Sequence, residues 1–180
     1  MVEYMLNSEE FKNKTNKICL VSPDAGGVYR VNSFEKKLKK HLILKNEKTF
    51  DVSITIITKQ RLKANEVEQM TLVGDVKGYD CIIIDDMIDT GGTLCLAAKT
   101  LKENGANKVY AFASHGLFSG NAFEKIEKSV LEKVIVTDTI PKRDDMEKYT
   151  KKIEYISVAT LIAEAIRRIE RNECMSEIYI

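Results

Sequence analysis

The sequence predicts an α/β domain with a mostly parallel sheet flanked by helices. Three observations carry that expectation. Short apolar runs alternate with segments of helical period along the chain. Several of those runs are continuous rather than alternating, as in strands buried on both faces. Polar, glycine-bearing motifs follow where the runs end, the crevice at which open parallel sheets bind ligands.

Taken in order, residues 17–21 (KICLV) are a strand that stops at Ser22-Pro23-Asp24-Ala25-Gly26-Gly27. A helix follows over 31–42, with Phe34, Leu38 and Leu42 on one stripe. The β-branched run at 52–57 (VSITII) is the next strand. Residues 81–84 (CIII) form a buried run that ends at Asp85-Asp86. A helix over 93–104 is closed by Gly105. Runs at 109–113 and 134–137 are two further buried strands, and 158–169 is a final amphipathic helix. Its Leu161, Ile162, Ala165, Ile166 and Ile169 form an apolar side expected to close the core. The polar stretch at 58–70 (TKQRLKANEVEQM) is long for a mere turn, so a functional loop is expected there.

No repeat or Pro/Gly/Ser linker interrupts the pattern, so 1–180 reads as a single domain. The net charge is +1, from 28 basic and 27 acidic residues, which argues against bulk nucleic-acid binding. The lysines at 36, 37, 39, 40 and 45 read as a solvated helix face. Cys19, Cys81, Cys95 and Cys174 have neither the spacing of a zinc site nor that of a disulfide framework. No run approaches the ~18 apolar residues of a membrane span, and the polar N-terminus is unlike a secretion signal. A cytoplasmic protein without membrane or nucleic-acid partners is the expectation.

The chemistry concentrates in residues 82–93, IIIDDMIDTGGT. A buried strand delivers Asp85 and Asp86, and Asp89-Thr90-Gly91-Gly92-Thr93 turns into a helix. Glycines admit an anion close to backbone N–H groups, and the helix N-terminus adds a favourable dipole. Hydroxyls of Thr90 and Thr93 add donors. Adjacent carboxylates suit sugar hydroxyls, directly or through Mg²⁺. The run therefore describes a phosphorylated sugar, and it lacks the spacing of a Walker A loop. Taken alone, Asp24 reads as turn chemistry and Lys59 and Arg61 as solvated loop charges.

Apolar-apolar-Asp-Asp followed by Asp-Thr-Gly-Gly-Thr resembles the phosphoribosyl pyrophosphate fingerprint of type I phosphoribosyltransferases and their relatives. By itself it leaves the transferases open. VSPDAGG at 21–27, KANEVEQM at 63–70, GDVKG at 74–78, SHGLFSG at 114–120, VTDTIP at 136–141 and LIAEAIRRI at 161–169 extend the resemblance. Together they are similar to the C-terminal half of the ribose-phosphate pyrophosphokinase family, in that family's order.

The resemblance implies a type I phosphoribosyltransferase-like domain and a Mg²⁺-dependent reaction. Ribose 5-phosphate and ATP give phosphoribosyl pyrophosphate and AMP, feeding nucleotide biosynthesis in a homo-oligomer. Lys59 and Arg61 match the family's catalytic loop pair, and Asp24 a magnesium ligand. Asp85 and Asp86 match groups that hold the ribose hydroxyls, and Asp89, Thr90, Gly91, Gly92 and Thr93 the loop that holds the 5-phosphate. The family carries a second, N-terminal domain with much of the ATP site, so this half is expected to bind sugar phosphate but not to react alone. A phosphoribosyltransferase and a non-catalytic paralogue are the alternatives. Tyr29 stands where the family usually has a basic residue, and Cys174 where it has a serine.

Overall fold

The computed structural model describes residues 1–8, 11, 17–45, 51–60 and 69–179. Its elements are α1 (Val2–Asn7), β1 (Lys17–Ser22), α2 (Val28–Lys45), β2 (Asp51–Gln60), β3 (Gln69–Val73), β4 (Asp80–Ile88) and α3 (Gly92–Glu103). They continue with β5 (Lys108–Gly116), α4 (Ala122–Lys128), β6 (Lys133–Thr137), β7 (Ile153–Ile156) and α5 (Ala159–Glu170). The strands form one seven-stranded sheet in the order β3-β2-β1-β4-β5-β6-β7. Every pairing is parallel except β2 with β3, which is antiparallel at the sheet edge.

The continuous apolar strands are explained by cover on both faces. On one face Ile18, Leu20, Ile82, Ile84, Tyr110, Phe112 and Ile135 pack under α1 and α2. On the other, Cys19, Val21, Cys81, Ile83, Val109, Ala111, Val134 and Val136 pack under α3 and α4. Cys19 and Cys81 lie in register on β1 and β4, buried and unbridged, as small hydrophobes. Phe112 is fully buried between the rings of Tyr4, Phe11 and Phe34, with centroids 6.2, 6.3 and 5.9 Å away. Phe112→Ala is expected to cost about 3–5 kcal/mol in urea unfolding. A loss below about 1 kcal/mol would mean that this face is not a packed core.

The sequence reading contained no α1, α4 or β7, and three other elements differ from it. Residues 69–73 form an edge strand, so the polar stretch expected as one loop includes both arms of a hairpin, closing at Gln60 opposite Gln69. β4 runs on through Ile88, paired with Gly116, so Asp85 and Asp86 lie within a strand rather than after it. The final helix does not close the core: Leu161, Ile162, Ile166 and Ile169 are 48–63% exposed. Both sheet faces are already covered, and α5 is tied instead to the C-terminal segment. Arg167 pairs with Glu164 and Glu173, and Arg168 with Glu164 and Glu177, at 2.7–2.8 Å. Hydrogen bonds from Arg167 and Arg168 hold the Glu164 carboxyl down at about 2.

Candidate functional site

The sheet order reverses at β1. From β1 the chain moves to β2 and β3 on one side, then returns to β4 on the other. Such a switch point leaves a crevice beyond the strand ends. The last β1–β4 pair is Val21 with Ile83, so the end of β4 overhangs β1. The turn after β1 and the loop after β4 face each other across that opening. A cleft of about 360 Å³ lies there, lined by Asp24, Arg30 and residues 85–94.

Gly91 makes the loop possible. Its φ is +71°, the left-handed region that L side chains adopt at a cost, and it is the residue from which α3 starts. No side chain makes a capping hydrogen bond to α3. The N–H groups of its first turn therefore remain available for an anion, as the glycine pair predicts. The loop is braced from below. Leu117 and Phe118 N–H groups donate to the Ile88 carbonyl at 2.9 and 3.2 Å, and the Lys125 ammonium donates to the Thr90 carbonyl at 3.3 Å. Phe118 holds a positive φ of 52° there. The SHGLFSG motif thus acts as a buttress, a role its sequence did not reveal.

Asp85 is half-buried and Asp86 exposed. Burial lifts the Asp85 carboxyl to about 6, and the neighbouring Asp86 carboxylate pushes the same way. The Asp86 N–H, 2.8 Å from Asp85 Oδ1, and the Arg30 guanidinium oppose the rise. Because the folded value stands above the ordinary 3.8, the folded protein keeps a proton that the unfolded chain has lost. The associated stability is present at low pH and is lost as pH rises from about 4 through about 6. Carbon-detected NMR is expected to show an Asp85 midpoint near 6 in the ligand-free chain. A midpoint at the ordinary value would refute the burial argument.

Asp24 performs the turn chemistry its neighbours suggest. Its Oδ1 accepts the Gly27 N–H at 2.7 Å, and its carbonyl accepts the Ser22 hydroxyl at 2.7 Å. A Cβ at Gly27 would come within 2.7 Å of Ser22 Oγ, so this close turn needs glycine. Among the described residues no three His, Cys, Asp or Glu side chains converge as a metal cage. Magnesium commonly takes one or two carboxylates with water and substrate phosphate, and exposed Asp24, with Oδ2 left over, fits that pattern.

The structure therefore gathers Asp24, Asp85, Asp86, Asp89, Thr90, Gly91, Gly92 and Thr93 around one cleft. Of the expected loop pair, the Lys59 backbone pairs with Met70 in the hairpin, whereas Arg61 lies outside the described residues. Arg30 is the residue that sequence reasoning did not assign. Its terminal nitrogens lie 3.3 Å from Asp85 Oδ1 and 3.1 Å from Asp86 Oδ2. Exposed Tyr29 sets its ring 5.4 Å from the guanidinium. His115 bonds Thr139 Oγ1 at 2.8 Å, and Cys174 Sγ lies 2.9 Å from Ser176 Oγ.

Fold and cleft together define a type I phosphoribosyltransferase-like α/β domain. Residues 42–180 match the model of the phosphoribosyl synthetase-associated domain, and the chain belongs to that family. It is 48% identical over 160 residues to a ribose-phosphate pyrophosphokinase of Vibrio parahaemolyticus, covering 89% of this chain and 47% of that protein. Against the Shewanella oneidensis ribose-phosphate pyrophosphokinase it is 44% identical over 175 residues, with coverages of 97% and 52%. The crystal structure of phosphoribosylpyrophosphate synthetase from Mycobacterium smegmatis superposes with a TM-score of 0.75 at 32% identity, over 95% of this chain and 51% of that one. The chain spans about half the length of the curated relatives it matches. Among the described residues, no helix is long and apolar enough to cross a membrane.

Proposed function

We propose that this chain is the sugar-phosphate half of a ribose-phosphate diphosphokinase. The observation that carries the reading is the shared cleft, with two carboxylates on β4, an uncapped helix start beyond Gly91, and Asp24 opposite. The names of the relatives supply the reaction class. Ribose 5-phosphate would seat its phosphate on the N–H groups and hydroxyls of 89–93, with its ring hydroxyls donating to Asp85 and Asp86. The anomeric oxygen then attacks the β-phosphorus of ATP, the bond from that phosphorus to the α,β-bridging oxygen breaks, and AMP leaves. Lys59 and Arg61 would act on the charge of the transferring group. Mg²⁺, held by Asp24 with substrate phosphate oxygens, would neutralise phosphate charge. As part of the same reading we take the protein to act in the cytoplasm, as a homo-oligomer.

Calorimetry with ribose 5-phosphate tests the sugar site, and AMP release from ATP in the assembled enzyme tests the transfer. Absence of ribose-5-phosphate binding would sink the reading. Release of pyrophosphate from phosphoribosyl pyrophosphate with a nucleobase, without AMP formation, would replace it with a phosphoribosyltransferase.

A further inference from the structure

We propose that Arg30 is a positioning residue for the sugar-hydroxyl carboxylates, one guanidinium that holds Asp85 and Asp86 in a single working arrangement. The inference rests on the sugar-phosphate reading of the cleft and adds a residue to it. Consecutive residues of a β-strand direct their side chains to opposite faces. Here the two acids are nevertheless neighbours in one cleft, with the Asp86 N–H donating to Asp85 Oδ1 at 2.8 Å and the Asp86 carboxyl acting on that of Asp85. Arg30 reaches across from the first turn of α2, 55 positions away in sequence, and touches both. Its side chain is only 22% exposed, whereas Asp86 is 60% exposed, so the cation is the fixed partner and the acid the free one.

The chemistry favours arginine over lysine here. A guanidinium has separate nitrogens on a rigid plane, and each terminal nitrogen takes a different carboxylate, Nη2 to Asp85 and Nη1 to Asp86. A single ammonium would have to choose. The Arg30 Nε is buried and has no hydrogen-bond partner. No hydrogen bond at Nε sets the plane of the group, which leaves the two acids and the Tyr29 ring to set it. The groups that act most on Asp85 are Asp86 on its own strand and Arg30 from α2, while Glu3 of α1 and Lys37, Lys40 and His41 of α2 line a neighbouring cavity with Asp85 and Arg30. Asp24 and Asp89 line the same cleft and add no positive charge. Arg30 is the cation in contact with both acids, and it opposes the rise of the Asp85 carboxyl and so favours the form able to accept sugar hydroxyls.

Arg30 contacts the hydroxyl end of the cleft and not the 89–93 loop, which gives a clean test. The purified chain, R30Q and R30K are titrated calorimetrically with ribose 5-phosphate and, separately, with inorganic phosphate, across about pH 6 to 8. Circular dichroism checks that each variant is folded. R30Q is expected to weaken ribose 5-phosphate roughly tenfold near pH 6, with the gap narrowing toward pH 8 as Asp85 ionises without help. Inorganic phosphate affinity is expected to stay within about twofold, and R30K to recover part of the sugar-phosphate loss. R30K carries the same comparison if R30Q does not fold.

An equal loss for inorganic phosphate would make Arg30 an anion contact and overturn the proposal. A loss independent of pH, or no loss at all, would overturn it too. Failure of the unaltered chain to bind ribose 5-phosphate would instead reject the sugar-site reading, and this inference with it.

Discussion

Lys59→Ala and Arg61→Ala, each made in an active enzyme assembly containing this chain, are expected to cut turnover about 10²-fold or more. Ribose-5-phosphate affinity is expected to change little. The two cations follow from the family resemblance, at the end of β2 and just beyond it. A diphosphoryl group carries most of its charge change in the transition state, so a cation aimed at it stabilises that state more than the resting sugar. An interaction made only in the transition state lowers kcat and kcat/KM together and leaves binding intact. Single-turnover AMP formation and calorimetry on the same variants separate the two quantities. Equal losses in rate and in sugar affinity would make the pair a substrate-binding device.

Asp89→Ala and Thr93→Ala are expected to weaken ribose 5-phosphate roughly tenfold or more. Thr93 stands in the first turn of α3, where its hydroxyl can join the uncapped N–H groups in holding a phosphate. Asp89 opens the loop between the end of β4 and Gly91, and its loss alters the shape of that connection. A charge-assisted hydrogen bond is worth about 1.5–3 kcal/mol, and a tenfold change is about 1.4 kcal/mol, so one lost contact suffices. Inorganic phosphate is expected to weaken in parallel with the sugar phosphate, the opposite of the pattern expected for Arg30. Unchanged affinity in both variants would move the phosphate site away from this loop.

These two expectations differ in how visible their grounds are in the folded molecule. The loop at 89–93 was legible as a string because its conformation is local. Glycines, a left-handed φ and a helix start occur within five consecutive residues, and no distant partner is needed to make the N–H groups converge. The loop pair was legible only through family resemblance. Lys59 lies in β2, beside the edge strand β3, and Arg61 lies outside the described residues, so nothing in the cleft geometry speaks for them.

By itself the sequence determined the alternation of buried strands and helices, the turn chemistry of Asp24 and the glycine turn into a helix at 89–93. Each depends on hydrophobic period or on backbone freedom over a few residues, which the local order of side chains encodes. Tertiary structure decided the rest. It placed the β1 turn opposite the β4 loop, because the sheet order reverses between those strands. It brought Arg30 onto Asp85 and Asp86 across 55 positions, a contact that no local pattern announces. It also left the apolar side of α5 exposed, against the reading of that stripe as a lid on the core. Amphipathic period says that a helix has a face to bury. Whether a covering surface is still free depends on how many other helices have already taken the two sides of the sheet.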